Sequence, residues 1–244
     1  MSRLLISFPG NELMTDKIGA ALKIERAAIT IRNFPDGESY VRVLTDVNGK
    51  EIIVVAALDR PDTKFLALVF LLRLLRDSGA KKITLVSPYL AYMRQDKQFQ
   101  PGEAVTSTYF AAFLSACIDE LITIDPHLHR RSSMAEIYAV PCHALHAAPL
   151  ISEWIRASVP LPVLIGPDSE SEQWVSIVAK NANAPYLVLE KQRYGDRSVS
   201  VSFPDVAPFR SHTPVLVDDI ISTARTMIAA VKHLREANMR RPFA

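Results

Sequence analysis

Two adjacent carboxylates, Asp218 and Asp219, stand between a short apolar run and a hydroxyl-rich stretch in residues 214–226, Pro-Val-Leu-Val-Asp-Asp-Ile-Ile-Ser-Thr-Ala-Arg-Thr. Val215, Leu216 and Val217 suit a central parallel strand, and residues 224–234 read as the helix that follows. Ser222, Thr223 and Thr226 then fall at the helix start, where free backbone N–H groups and the positive end of the dipole favour a phosphate. The two carboxylates lie at the strand's carboxyl end, where open α/β sheets place their ligands, and there they can accept hydrogen bonds from two sugar hydroxyls. The pattern suits a sugar phosphate. Spacing alone equally suits a helix capped by Ser222 or Thr223 with solvated aspartates.

Further polar groups also follow apolar runs. Arg94-Gln95-Asp96-Lys97 comes after the run 83–87 and an aromatic-containing turn, 88–92. Two cations on such a loop make a polyphosphate clamp, because Arg binds phosphate oxygens bidentately and Lys adds a point charge; a solvated charged loop is the plain alternative. Asp125-Pro126-His127-Leu128-His129 closes the run 121–124. A carboxylate and imidazoles there can hold or orient a divalent ion, and Mg²⁺ on a nucleotide is the ion expected, since it keeps waters and uses few protein ligands. Asp168, after the run 163–166, is a further carboxylate for that ion. Lys191 and Arg193 precede a polar stretch, 194–198, that reads as a loop or hairpin from which cations can close over a phosphoryl group. Near the N-terminus, residues 33–39 are a turn sequence centred on Asp36-Gly37. Phe34 can stack on a base there, with Asp36 or Glu38 accepting from an exocyclic amine.

The elements that must carry these loops alternate. Strand patterns at 4–7, 52–56, 83–87, 121–124, 163–166 and 215–217 are separated by helical patterns near 11–22, 64–78, 107–116, 148–157 and 170–182. Such alternation predicts mainly parallel sheets flanked on both faces by helices. Residues 53–83 and 213–243 align without a gap, placing Asp59 on Asp219, Thr63 on Thr223, Leu74 on Leu234 and Ile83 on Phe243. The repeat predicts a duplicated α/β domain with a boundary near 145, and its second copy stops at Phe243-Ala244 where a strand should begin. The C-terminal domain is therefore expected to be truncated relative to the first.

The 244 residues are 49% hydrophobic and 22% charged, with 28 basic against 26 acidic side chains and a net charge of +2. That balance supplies no field to attract nucleic acid or an anionic membrane. Cys117 and Cys142 show no metal-type spacing and suit two buried thiols in a reducing compartment. The N-terminal apolar run is too short for a signal peptide, and the longest apolar stretch, 65–72, is too short for a membrane span. A cytoplasmic location is expected.

Taken in chain order, Phe34-x-Asp36-Gly37-Glu38, Pro88-Tyr89-x-x-Tyr92-x-Arg94-Gln95-Asp96, Asp125-Pro126-His127, Pro167-Asp168, Lys191-x-Arg193 and the 214–226 loop resemble the successive signatures of ribose-phosphate diphosphokinases, also called phosphoribosyl-pyrophosphate synthetases. Residues 97–104 are closer to archaeal-type members. The resemblance implies two tandem phosphoribosyltransferase-type domains, 1–145 on the ATP side and 146–244 on the ribose 5-phosphate side. It implies transfer of diphosphate from MgATP to the anomeric hydroxyl of ribose 5-phosphate, in a homo-oligomer built from dimers. By position, Phe34, Asp36, Glu38, Arg94, Gln95 and Asp96 would bind ATP, with the first three acting across a subunit interface. His127 and Asp168 would position Mg²⁺, and Lys191 and Arg193 would close on the transferring group. Asp218, Asp219, Ser222, Thr223, Ala224, Arg225 and Thr226 would hold ribose 5-phosphate. The chain departs from the family pattern with Ala224 in place of a usual Gly. It departs again with Ser169-Glu170-Ser171-Glu172 after Asp168, whose added carboxylates would either draw a second metal or repel substrate. A non-catalytic regulatory relative and a base phosphoribosyltransferase are the competing readings.

Overall fold

The computed structural model describes residues 2–167, 169–194, 198–202, 205–221 and 223–243; at 170, 190–194 and 198–202 the description covers the backbone alone. The chain divides into two compact units, Met1–Leu145 and His146–Ala244.

The first unit runs β1 (Arg3–Ser7), α1 (Glu12–Leu22), β2 (Glu25–Arg26), β3 (Ile29–Asn33), β4 (Ser39–Val43), β5 (Glu51–Val55), α2 (Phe65–Asp77), β6 (Lys82–Ser87), α3 (Thr106–Ser115), β7 (Glu120–Ile124) and β8 (Cys142–Leu145). Six strands form one sheet in the order β2-β1-β5-β6-β7-β8, every pair parallel. Leu5, Ile6, Ile52, Val54, Ile83 and Leu85 are all but fully buried, as a parallel sheet covered on both faces requires. Helix α2 buries Leu68, Leu71, Leu72 and Leu75, an i, i+3, i+4, i+7 stripe that seats it on the sheet. It stops because Gly79 takes φ +85, a left-handed conformation that returns the chain toward β6. Strands β3 and β4 pair antiparallel as a separate hairpin. Ile29, Ile31, Val41 and Val43 pack against the core of this unit, so the period-two alternation fixes which hairpin face is inward.

The second unit runs α4 (Ala148–Ser158), β9 (Pro162–Gly166), α5 (Glu172–Ala182), β10 (Tyr186–Val188), β11 (Glu190–Tyr194), β12 (Ser198–Ser202), β13 (Thr213–Leu216) and α6 (Arg225–Glu236). Its sheet has the order β10-β9-β13, all parallel, and β11 and β12 form an antiparallel hairpin. On the other edge of β13, Phe243 makes a parallel bridge with Val215. Buried residues cluster on both faces of this sheet: Leu164, Val175, Val178 and Val215 in one group, and Val163, Ile165, Leu216, Ala230 and Leu234 in the other. At the end of β9 a Cβ on Gly166 would lie 2.6 Å from Ser171 Oγ, so only glycine permits the approach to α5. Both units are thus mainly parallel sheets flanked by helices, the architecture the alternation predicted.

The repeat is visible in three dimensions, with one difference. Shifted by the offset of the alignment, the first residue of α2, Phe65, falls on the first residue of α6, Arg225. The strands that follow do not keep the same register: Ile83 pairs with Ile52, whereas its counterpart Phe243 pairs with Val215 rather than with the residue matching Ile52. Helix α2 runs 13 residues and α6 12, so the copies share a helix start and diverge from the helix end onward. Neither cysteine is in a disulfide; Cys117 is buried, while Cys142 is only partly so and reaches the Val140 carbonyl with its Sγ at 3.2 Å. Among the described residues, no helix is long and apolar enough to cross a membrane.

Candidate active site

In the first unit, the loops after β5, β6 and β7 are neighbours because those strands are neighbours. Leu58 N–H donates to the Tyr89 carbonyl at 3.0 Å, and the Tyr92 hydroxyl donates to the Asp62 carboxylate. That carboxylate and the burial of the ring push the Tyr92 hydroxyl up to about 12. Lys64 reaches the Asp59 carboxylate at 2.5 Å and the Ala57 carbonyl at 3.1 Å, and the hydrogen bond from Lys64 holds the Asp59 carboxyl below its ordinary value. Arg60 at φ 50, Tyr92 at φ 60 and Asp125 at φ 41 all take left-handed backbone. Each such non-glycine residue stores about 1–2 kcal/mol, and all three sit on loops leaving the carboxyl ends of adjacent strands. None of the three was expected from the sequence, because side-chain type does not reveal φ.

Arg94 is exposed and Gln95 half-buried, between β6 and α3. Gln95 is tied to the start of α3: Thr106 Oγ1 donates to its Oε1 at 3.3 Å and Ser107 N–H to its carbonyl at 3.3 Å. Asp96 differs from both. Its side chain is 2% exposed and pairs with Arg130, from the loop after β7, at 3.1 Å. The carboxylate therefore faces the protein, while Arg94 faces outward. Arg130 and Arg131 were not singled out in the sequence; their signal was a basic pair directly after Asp125-Pro126-His127-Leu128-His129.

His127 lies half-buried just past β7, with His129 Nε2 at 3.0 Å from its Nδ1 and the two ring centroids 3.8 Å apart. An imidazole at a strand's carboxyl end, held by a second imidazole, fits an outer partner of a hydrated Mg²⁺ ion, which asks for few direct protein ligands. The other residue named for that ion, Asp168, lies outside the described residues. Phe34, Asp36 and Glu38 occupy the β3–β4 turn, where Phe34 N–H donates to the Glu38 carbonyl at 2.7 Å and Glu38 N–H to Asp36 Oδ1 at 3.2 Å. The Arg32 guanidinium lies 4.8 Å from the centroid of the Phe34 ring and 4.4 Å from that of Tyr40. Phe34 is 41% exposed, so the hairpin presents an aromatic face with a cation beside it.

In the second unit, the strand order β10-β9-β13 sets three connections side by side: the hairpin carrying Lys191 and Arg193, the corner after Gly166, and the Asp218–Thr226 loop. Leu189 N–H donates to the Gly166 carbonyl at 2.8 Å and Val217 N–H to the Ile165 carbonyl at 3.0 Å, tying the two outer connections to the central strand. Lys191 and Arg193 lie in β11, opposite Val201 and Val199; their side chains are outside the described residues, as is Ser222. Asp218 and Asp219 are half-buried, and Asp219 N–H donates to Asp218 Oδ1 at 3.1 Å. Ala224 takes φ 57 and ψ 8 at the helix N-cap, the left-handed conformation that glycine adopts without cost. Helix α6 then begins at Arg225, and its first backbone bond runs from Ile228 N–H to the Ala224 carbonyl at 2.8 Å. The N–H groups of Arg225, Thr226 and Met227 consequently point past the helix start, an arrangement suited to an anion. Thr223 and Arg225 are exposed and Thr226 half-buried around that start. The acidic stretch after Asp168 has a structural use: a short 3-10 turn, Ser169–Ser171, leads into α5, whose first residue is Glu172. A carboxylate in the first turn complements the helix dipole.

The chain matches two family models in tandem: the N-terminal domain of ribose phosphate pyrophosphokinase over residues 4–117 and the phosphoribosyl transferase domain over residues 133–241. It is 32% identical over 222 residues to a ribose-phosphate pyrophosphokinase of Saccharolobus solfataricus, covering 89% of this chain and 75% of that one. It is 34% identical over 230 residues to ribose-phosphate pyrophosphokinase 2 of Archaeoglobus fulgidus, covering 94% and 79% respectively. A solved structure of phosphoribosylpyrophosphate synthetase from Mycobacterium smegmatis shares the fold, with a TM-score of 0.82 at 24% identity, over 98% of this chain and 78% of that one. With the tandem match and these identities over most of both chains, the protein belongs to the ribose-phosphate pyrophosphokinase family.

Proposed function

We propose that this protein transfers the terminal diphosphate of MgATP to the anomeric hydroxyl of ribose 5-phosphate, giving 5-phosphoribosyl 1-diphosphate and AMP. The observation that carries this reading is the tandem match, an N-terminal pyrophosphokinase domain ahead of a phosphoribosyl transferase domain. A base phosphoribosyltransferase would use the second alone and leave the Arg94-Gln95 and His127 loops without a task. In the reaction, the anomeric oxygen attacks the β-phosphorus, the bond from that phosphorus to the α–β bridging oxygen breaks, and AMP departs as the anomeric proton is lost.

Unit 1 takes the nucleotide in this scheme. Arg94 and Gln95 receive the phosphates from the carboxyl end of β6, and Asp96 contributes through the loop it anchors. Phe34, Asp36 and Glu38 take the adenine of a neighbouring subunit, which requires a homo-oligomer built from dimers. His127 and Asp168 would hold Mg²⁺, which when bound offsets the charge of the nucleotide phosphates. Unit 2 takes ribose 5-phosphate: Asp218 and Asp219 orient the ring hydroxyls, while Ser222, Thr223, Ala224, Arg225 and Thr226 surround the phosphate at the start of α6. Lys191 and Arg193 stabilise the charge that builds on the transferring group. Retention of Arg94, His127, Lys191 and Arg193 together supports catalysis over a purely regulatory subunit.

The test is to incubate the purified protein with MgATP and ribose 5-phosphate and to follow AMP and phosphoribosyl diphosphate together. Equal formation of both is the expected result; AMP without the sugar product, or neither, would refute it. In Lys191→Ala, turnover should drop by about 10³-fold with ATP affinity nearly unchanged, because the cation acts mainly in the transition state. Full activity in that variant would remove Lys191 from its assigned role.

A further inference from the structure

Arg130 and Arg131 have no part in the scheme above, yet they hold its nucleotide loop from two directions. Arg130 Nη1 lies 3.1 and 3.3 Å from the two carboxylate oxygens of Asp96, whose side chain is 2% exposed against 35% for Arg130 itself. The same guanidinium sits 5.3 Å from the centroid of Phe99, a ring that Lys97 Nζ approaches to 5.2 Å. Arg131 grips the backbone instead: its Nη2 donates to the Asp96 carbonyl at 3.2 Å, and to Ser107 Oγ and Thr108 Oγ1 at 3.4 Å. Its Nη1 lies 3.8 Å from Glu136. Glu136 in turn accepts from the backbone N–H and the hydroxyl of Ser132, both at 2.7 Å.

The side chain and the carbonyl of one residue, Asp96, are thus held by consecutive arginines of the next strand's loop. A carboxylate this buried is costly without its partner. Holding it also restricts Arg94 and Gln95, one and two residues away, before any ligand arrives, which lowers the ordering cost of binding. We infer that Arg130 and Arg131 are positioning residues that clamp Asp96 and so fix the Arg94-Gln95 segment in the geometry that receives the nucleotide phosphates. The inference rests on the assignment of Arg94 and Gln95 to ATP.

The experiment pairs steady-state kinetics with amide hydrogen exchange on wild type, Arg130→Ala and Arg130→Lys. In Arg130→Ala the KM for ATP should rise by about tenfold or more, with kcat and the KM for ribose 5-phosphate within about twofold of wild type. Exchange over residues 94–104 should quicken by about tenfold while β6 and β7 keep their protection. Arg130→Lys should recover part of both effects, since it restores the charge beside Asp96 but not the planar guanidinium beside Phe99. Unchanged exchange and KM in Arg130→Ala would overturn the inference, and so would a common fall in kcat with a rise in both KM values, which marks general loss of structure. Wild-type protein that forms no phosphoribosyl diphosphate would refute the reaction, whereas faster exchange at 94–104 in Arg130→Ala would still uphold the clamp on that loop.

Discussion

Ala224 shows how much a single position can carry. At φ 57 its Cβ is held against the preferences of an L-residue, at about 1 kcal/mol or more relative to glycine. The strain persists because the chain must turn between the half-buried Asp218-Asp219 pair and the N-terminus of α6, aiming three N–H groups at one place. Ala224→Gly should therefore raise the stability of the fold by roughly 0.5–1 kcal/mol, read as a higher urea midpoint with an unchanged slope. A lower midpoint would mean that the methyl packs more favourably than the backbone is strained. Asp96 teaches a different lesson at the same scale. Its sequence neighbours Arg94 and Gln95 suggest three polar groups with one purpose, but its own carboxylate is turned inward to Arg130. Only tertiary contact separates a residue that can meet ligand from one that holds its neighbours in place.

At the scale of elements, the helices and the central parallel strands were legible because each carries its own period: continuous apolar runs at 52–55 and 163–165, and a four-leucine stripe on α2. The parallel edge strands β2 and β8 were not, being short or, as at Cys142–Leu145, largely exposed and read as a boundary segment. The β3–β4 strands were not, because five residues of modest alternation flanking a turn look like any surface loop until Ile29, Ile31, Val41 and Val43 find the core. Strands β6, β7 and β8 also carry a polar cross-strand network that no periodicity announces. Glu120 accepts from Lys82 at 2.7 Å and from the Thr84 hydroxyl at 2.9 Å, with His143 Nε2 at 3.1 Å. The Lys82 ammonium above all, then the Thr84 hydroxyl and His143, hold the Glu120 carboxyl below its ordinary 4.5, against the opposing effect of burial. A carboxyl lowered by folding stabilises the fold above its unfolded value and loses that contribution as pH falls through the folded one. Stability should accordingly decline below pH 4.5. Glu120→Gln should flatten that part of the profile while costing about 1 kcal/mol at neutral pH, since the charged partners Lys82 and His143 are 43% and 56% exposed and the Gln carbonyl still accepts from the buried Thr84 hydroxyl. A profile identical in wild type and variant from pH 6 to pH 3, measured by urea denaturation at each pH, would remove Glu120 from the acid response.

For the whole molecule, two sheets with separate cores mean that a cavity should be felt where it is made. Leu71 and Leu164 are both fully buried, one in each unit. Their replacement by Ala should cost about 2–5 kcal/mol apiece, with amide exchange quickening mainly in the unit that carries the change; equal quickening in both units from either variant would contradict separate cores. The sequence by itself determined the α/β class, the alternation of elements and the family, because hydrophobic period and motif order are local properties that survive in one dimension. It also determined that Arg94, His127 and Asp218 stand on loops that follow strands. The tertiary structure decided what distance along the chain conceals: that Asp96 belongs to Arg130, that Arg131 reaches the same residue's backbone, that the hairpin bearing Phe34 has an inward face, and that Ala224 is left-handed. Each of these depends on which strand lies beside which and on the backbone angle that packing imposes, and neither quantity is written in the identity of a residue or its neighbours.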